Sequence, residues 1–487
     1  MKQKSIKLNF IMNAILTISG FLFPLITFPY ISRVLLPEGT GRVNFAISLI
    51  NYFIMFAMMG IPTYGIRACA QVRDDKEKLS RTAHELLFIN LIMSVLAYIL
   101  LAGALLFIPR LFEDRLLYLI ISASILFTAI GMEWLFKALE EYTYITIRSL
   151  VFQAISIIAM FLLVHEKDDY VIYGAISIGA ASASNVLNLI HARKYIFLHP
   201  VGNYNLKRHF KPVLVFFAMA CATTVYTNLD NVMLGFMKGD VDVGYYNAAV
   251  KIKTILVAIV TSLGNVLLPR VSYYVQKKQY DEFKRVCRKA INFVFVGAAP
   301  LSLYFILYAK NGVYLLSGTA YTGSILPMQI IMPTVLLIGL TGIMGIQVLV
   351  PLGKEKIVLY SEIAGAVTDL ILNWLLIPHL GAAGAAIGTL VAEFVVFLFQ
   401  LIVLRKELGD TFKSIKYYKI ILAMMAGTAA CIWVQFLNLG NFISLLISAV
   451  LFFGVYYGVM MLLREELTCD ITNQMITWIK SRIMKRA

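Results

Sequence analysis

Between Val213 and Leu268 an apolar run carries Asn228-Leu229-Asp230-Asn231 and breaks at Lys238-Gly239-Asp240. A second run then opens on Gly244-Tyr245-Tyr246-Asn247-Ala248-Ala249. The same pattern stands near the start of the chain. There an apolar run ends at Arg33, the break is Pro37-Glu38-Gly39, and the next run opens on Gly41-Arg42-Val43-Asn44-Phe45-Ala46. At an offset of 203 residues, Gly41, Asn44 and Ala46 coincide with Gly244, Asn247 and Ala249, and the same order of apolar runs follows in each half. Duplicated bundles of membrane helices are a usual plan for secondary transporters, with the substrate path between the copies.

Composition points the same way. The 487 residues are 60% hydrophobic and 14% charged, against about 25% charged in an ordinary soluble chain. Apolar runs of membrane-crossing length recur from end to end, each long enough for a ~30 Å hydrocarbon core. No polar stretch is long enough to fold as a soluble domain. The net charge of +16 does not imply nucleic acid, because the basic residues lie in short clusters between apolar runs, where topology signals sit. The five cysteines, Cys69, Cys221, Cys287, Cys431 and Cys469, have no metal-type spacing and read as unpaired thiols. The first apolar run, Leu8 to Ile31, is too long for a signal peptide and reads as a spanning helix.

The expected architecture is an all-α polytopic membrane protein with fourteen spans. They fall near 8–32, 43–66, 84–108, 116–137, 145–164, 170–192, 212–237, 244–268, 290–316, 324–350, 357–378, 384–404, 417–437 and 442–463. Each must be helical, since in lipid only a helix satisfies its own backbone groups. With the N-terminus inside, 34 basic residues fall in inner segments, Lys2, Lys4 and Lys7 among them, and 7 in outer loops. That bias places both termini in the cytoplasm, and the protein is expected in the cell (inner) membrane. The longer polar segments Gln71–His84, Ser272–Arg288 and Glu465–Arg486 read either as surface helices on anionic lipid or as plain connectors. Six spans separate the copies, so the repeat is parallel. The domains expected are an N-lobe over 1–211, a C-lobe over 212–405, and two added spans with a tail over 406–487.

Charges inside spans are costly and are functional candidates by default. Asp230 lies deep in span 7, with Lys251 and Lys253 on the partner helix; the residues read either as a buried pair or as groups that meet substrate or ion in turn. Arg148 and Glu133 sit at similar depth in spans 5 and 4. They form either a permanent pair or a gate that opens when an anionic head group arrives, since the guanidinium fork matches diphosphate oxygens. Glu362 and Asp369, seven apart, share a face of span 11 with Asn373, and Glu393 is mid-span 12. These acids either take up protons or cations or serve as polar packing. Arg33 and Arg42 stand at the outer mouth. Gly381–Gly388 reads as a packing stripe. No catalytic motif, metal cluster or cofactor signature is present.

Three motifs in order resemble one family. Gly131-Met132-Glu133-Trp134-Leu135-Phe136-Lys137-Ala138-Leu139-Glu140-Glu141-Tyr142 is similar to the span 4–5 junction of bacterial polysaccharide flippases. Asn228-Leu229-Asp230-Asn231-Val232-Met233-Leu234-Gly235, with Val243 to Lys251, looks like their span 7–8 motif. Asn373-Trp374-Leu375-Leu376-Ile377-Pro378-His379-Leu380-Gly381-Ala382-Ala383-Gly384-Ala385-Ala386 looks like their span 11–12 motif. The resemblance covers nearly the whole chain and is to the Wzx-like polysaccharide branch of the MOP superfamily, which also holds the MATE exporters and lipid II flippases.

The resemblance implies a V-shaped, MATE-like pair of six-helix lobes. It also implies alternating-access transfer of undecaprenyl-diphosphate-linked oligosaccharide repeat units to the outer leaflet, for surface polysaccharide. Membrane lipids and a polysaccharide polymerase are the other partners it admits; no nucleic acid and no cofactor are implied. By the same resemblance, diphosphate-binding cations would come from Arg148, Lys251, Arg33 and Arg42, with the first two preferred. Gating or ion coupling would involve Glu133, Asp230, Asp369, Glu362 and Glu393. Physics supports such a role, since a charged head group cannot cross hydrocarbon unaided. The alternatives are an ion-coupled multidrug exporter of the same fold, and, from another class, a membrane polymerase or ligase. Short outer loops argue against the last.

Overall fold

The computed structural model describes residues 6–437, 439–470, 472–474 and 477. Among them it is helical, with no strand. The chain forms two compact units that divide between Asn247 and Ala248.

The first unit holds α1 (Ile6–Met58), α2 (Ile61–Ala70), α3 (Lys76–Phe107), α4 (Pro109–Glu113), α5 (Arg115–Gly131), α6 (Glu133–Ala138), α7 (Tyr142–Leu163), α8 (Tyr170–Ala192), α9 (Lys207–Met237) and the start of α10 (Asp240–Gln276). The second unit takes the rest of α10, then α11 (Tyr280–Leu307), α12 (Ala309–Ser317), α13 (Ile325–Ile331), α14 (Thr334–Gly342), α15 (Glu355–Leu380), α16 (Ala382–Val403), α17 (Arg405–Ser414), α18 (Tyr417–Cys431) and α19 (Asn441–Leu462).

Among the described residues, twelve helices are long and apolar enough to cross a membrane. A thirteenth crossing is Thr319–Ile331 with Thr334–Leu349, a pair bent by 45°. The first of the twelve, Ile11–Ala70, is 60 residues long, or about 90 Å at 1.5 Å per residue. It therefore holds two crossings, and the fourteen expected spans are accounted for. The two meet at Leu36 (φ 59°, ψ 177°), the one non-helical residue inside α1. The loop expected around Pro37-Glu38-Gly39 is instead nearly continuous helix. Pro37 follows the break directly, where a helix start tolerates proline.

The polar connectors are also shorter than expected. Asp75 caps α3, its carboxylate accepting from the Glu77 and Lys78 amides at 3.1 and 3.0 Å. Lys76–His84 is therefore the first two turns of a spanning helix, not a surface helix. Likewise Ser272–Arg288 is divided between the end of α10 and the start of α11. Most of Glu465–Arg486 and Lys2 and Lys4 lie outside the described residues, and Lys7 is described as backbone only. The short α17 was not expected. The glycine stripe gives the close packing foreseen: a Cβ on Gly384 would stand 2.7 Å from the Leu376 carbonyl.

Candidate functional site: polar groups inside the spanning helices

Arg148 is set on α7 so that it faces α8. It is 6% exposed. Its Nη1 donates to Asn188 Oδ1 and, at 3.4 Å, to the Ser184 carbonyl. The guanidinium lies 5.5 Å from the centroid of the Tyr144 ring, and that ring stacks on His191 at 4.1 Å. Nη2 stands 3.6 Å from Glu133 on α6. Glu133 is in turn 2.8 Å from Lys137, one helical turn on. The structure thus brings Arg148 and Glu133 together with one partner buried and the other half-exposed. A buried cation needs such partners, because an unpaired charge in low dielectric is expensive.

The residues of Asn228-Leu229-Asp230-Asn231 cross-link three helices. Asp230 accepts from the Tyr246 hydroxyl. Asn231 Nδ2 donates to Ser48 Oγ at 2.9 Å, and Asn247 Nδ2 to Asn231 Oδ1 at 2.8 Å. Asn51 Nδ2 donates to Asn228 Oδ1 at 3.1 Å. Asn247 also donates to the Val243 carbonyl, as Asn44 does to Thr40, the same bond at the same offset of 203. A lysine partner for Asp230 was one alternative; Tyr246 is one partner that it has. Lys251 and Lys253 are half-buried on α10, and neither forms an ion pair among the described residues.

The other two basic candidates differ from each other. Arg33 is exposed and donates to the Pro29 carbonyl one turn back. Arg42 is met by three carboxylates: Glu38 at 2.8 Å, Asp114 at 3.4 Å and Asp240 at 3.8 Å. Tyr170 joins them, donating to Asp114 at 2.8 Å beneath the Arg42 guanidinium. Arg110, not singled out in the sequence, pairs with Asp240 at 2.8 Å.

In the second unit Asp369, Asn373 and Glu393 are buried, while Glu362 is exposed. Seven residues put Glu362 and Asp369 on one side of α15, yet the buried stripe runs Ser361, Gly365, Asp369, Asn373, Ile377. A four-residue stripe winds around a helix of 3.6 residues per turn, as ridge packing against α16 requires, and leaves Glu362 outside it. Asp369 and Asn373 meet α16 at Gly388, where a Cβ would stand 2.9 Å from Asp369 Oδ1 and closer still to Asn373 Oδ1. Ser361 accepts from Gln400 at 3.1 Å two turns away.

One cluster was missed. Glu85 on α3 is fully buried. It accepts from Arg208 Nε at 2.9 Å and the Asn205 amide at 2.6 Å, and lies 2.7 Å from His209 Nε2. His209 Nδ1 is 2.8 Å from the Tyr64 hydroxyl. Glu85 falls at the second position of an expected span, where a charge reads as interfacial; the acid, arginine and histidine are too far apart in the chain to be joined by eye. Among the described residues no group of three or more His, Cys, Asp or Glu is placed to hold a metal.

A family profile described as polysaccharide biosynthesis protein matches residues 6–275, more than half of the chain. The chain belongs to the polysaccharide biosynthesis protein family. A second profile, MatE, matches residues 216–375. Family relatives in Escherichia coli K12 and Shigella dysenteriae, each named "Putative O-antigen transporter", are both 26% identical. They cover 83% and 82% of this chain, and 97% and 99% of their own. Among solved structures, the lipid II flippase MurJ in an inward closed conformation matches with TM-score 0.74 at 15% identity, over 94% of this chain and 99% of that one. An inward-facing multidrug resistance MATE family transporter of the MOP superfamily matches with TM-score 0.63, also at 15% identity, over 81% and 95%. At that identity both show the fold alone: this family member shares the all-α fold of that flippase and that transporter. The named relatives are transporters and a flippase, not enzymes.

Proposed function

We propose that the protein is a flippase for undecaprenyl-diphosphate-linked oligosaccharide. It carries the repeat unit from the inner to the outer leaflet of the cytoplasmic membrane by alternating access, with both termini cytoplasmic. Family membership and the named relatives support a transporter of lipid-linked oligosaccharide. The observation that carries the finer reading is Arg148: a buried guanidinium whose Nη2 faces a half-exposed carboxylate that Lys137 also holds. An arriving diphosphate would displace Glu133 toward Lys137 and take its place on Arg148. Lys251, half-buried and without an ion pair among the described residues, is the second proposed head-group contact; Arg33 and Arg42 are proposed as further contacts at the outer mouth. Asp230, Asp369, Glu362 and Glu393 are proposed for ion coupling. The lobes proposed are 1–211 and 212–405, followed by 406–487.

The test is the leaflet that holds undecaprenyl-linked oligosaccharide in a deletion strain. Build-up on the cytoplasmic side, relieved by restoring the gene, is expected. Normal surface polysaccharide without build-up would sink the reading. The buried acids Asp230, Asp369 and Glu393 favour a second one, ion-driven export of cationic drugs, and robust ethidium efflux from vesicles would support it.

A further inference from the structure

We infer that Asn188 is a positioning residue that decides which edge of Arg148 meets a phosphoryl group. The inference rests on the reading of Arg148 as a head-group contact.

A guanidinium donates and never accepts. The Asn188 atom it touches is therefore the carbonyl Oδ1, and this fixes the orientation of the amide. The Asn188 side chain is fully buried, and its Nδ2 has no partner among the described residues. A buried donor left unmade is costly. An apolar side chain would avoid that cost, and a carboxylate would turn the contact into an ion pair. The amide does neither: it holds Nη1 and leaves the positive charge of Arg148 uncancelled. The Ser184 carbonyl grips the same edge, and the Tyr144 ring lies under the plane.

With that edge and plane fixed, what remains is Nε and Nη2. Nε is buried without a partner among the described residues. Nη2 faces Glu133 at 3.6 Å, too far for a hydrogen bond, and the Tyr144 hydroxyl lies beside the same guanidinium. Nε and Nη2 form the side-on fork that matches two oxygens of one phosphoryl group. Beside that fork stands the half-exposed Glu133, which Lys137 also holds, at 2.8 Å.

The experiment uses the purified full chain in detergent, with sugar-free undecaprenyl diphosphate as the probe. It records affinity and thermal unfolding midpoint for Asn188→Asp, Asn188→Leu, Asn188→Ser and Arg148→Ala. Asn188→Asp should keep or raise the midpoint while weakening affinity by at least about tenfold, because its carboxylate cancels the charge that the ligand needs. A merely structural residue would move both quantities together. Asn188→Leu should lose affinity and midpoint alike, and Asn188→Ser, an uncharged acceptor, should stay nearer the natural protein. Natural affinity in Asn188→Asp or in Asn188→Leu, with Arg148→Ala impaired, would overturn the role of Asn188 and leave that of Arg148 standing. Natural affinity in Arg148→Ala would overturn the head-group reading itself.

Discussion

Gly41 and Gly244, which hold corresponding places in the two copies of the repeat, lie against each other: a Cβ on Gly41 would stand 3.0 Å from the Gly244 amide nitrogen. The contact is reciprocal. A Cβ on Gly41 would run into the Asp240 carbonyl and one on Gly244 into the Pro37 carbonyl, and Pro37 and Asp240 are themselves 203 residues apart.

Because both obstructions are main-chain atoms, neither can swing aside. Gly41→Ala and Gly244→Ala should each destabilise the protein by about 1–3 kcal/mol, the usual cost of overpacking. Unfolding midpoints in detergent check this. Unchanged midpoints in both variants would show that the approach is not tight.

Asp240 is shared between Arg110 and Arg42. Asp240→Arg should repel both and lower the midpoint, and the exchange Arg110→Asp with Asp240→Arg should restore part of the loss. These groups are partly exposed, so the coupling energy expected from a double-mutant cycle is at most about 1 kcal/mol. A coupling of zero would mean that the pair is incidental.

A Cβ on Gly388 would meet the side-chain oxygens of Asn373 and Asp369, and a larger side chain there would displace both. Gly388→Val should impair both stability and export. Pairing it with Asn373→Ala, which frees the space Asn373 Oδ1 occupies, should recover stability more than export. Export restored in full would argue that Asn373 serves packing alone.

Lys354 and Glu407 lie between spanning helices, 2.6 Å apart. Burial acts to raise the Glu407 carboxyl, but the Lys354 hydrogen bond, a backbone hydrogen bond and the charges of Lys354 and Lys406 together outweigh it and hold the group below its ordinary value of 4.5. The folded carboxylate resists protonation more than the unfolded one. Its contribution is therefore complete above the unfolded value and disappears as pH falls through the lower folded one. Natural protein should exceed Glu407→Gln in stability by less than about 1 kcal/mol near neutrality, and the difference should shrink below about pH 4.5. A difference that does not change with pH would exclude the ion pair as its source.

The helices were legible because lipid allows so few alternatives. Tyr170–Ala192 occupies the limits read from hydropathy, and Asn441–Leu462 and Ala382–Val403 nearly so. Polar connectors were less legible, since hydropathy marks where lipid ends and not where helix ends. Asp75, with the cap it makes two residues later, carries a signal that could have started α3 earlier. At the candidate site, Arg148 and Glu133 were visible as charges where charges are rare. Asn188 and Ser184 were not, because a neutral polar residue in a span is common and its partner is set by which helices become neighbours. Asp230 shows the same limit: its charge was plain, but the bond from Tyr246 follows only from how α9 and the start of α10 pack.

The first two crossings are joined at Leu36 by a single residue instead of a slack loop. A tilt imposed on Ile6–Leu35 would have only Leu36 in which to dissipate, which would make α1 a cranked lever with its elbow there. The elbow stands one residue before Pro37, whose carbonyl faces Gly244, and two before Glu38, which holds Arg42. Torque on the first crossing would reach first the place where Gly41 and Gly244 lie against each other.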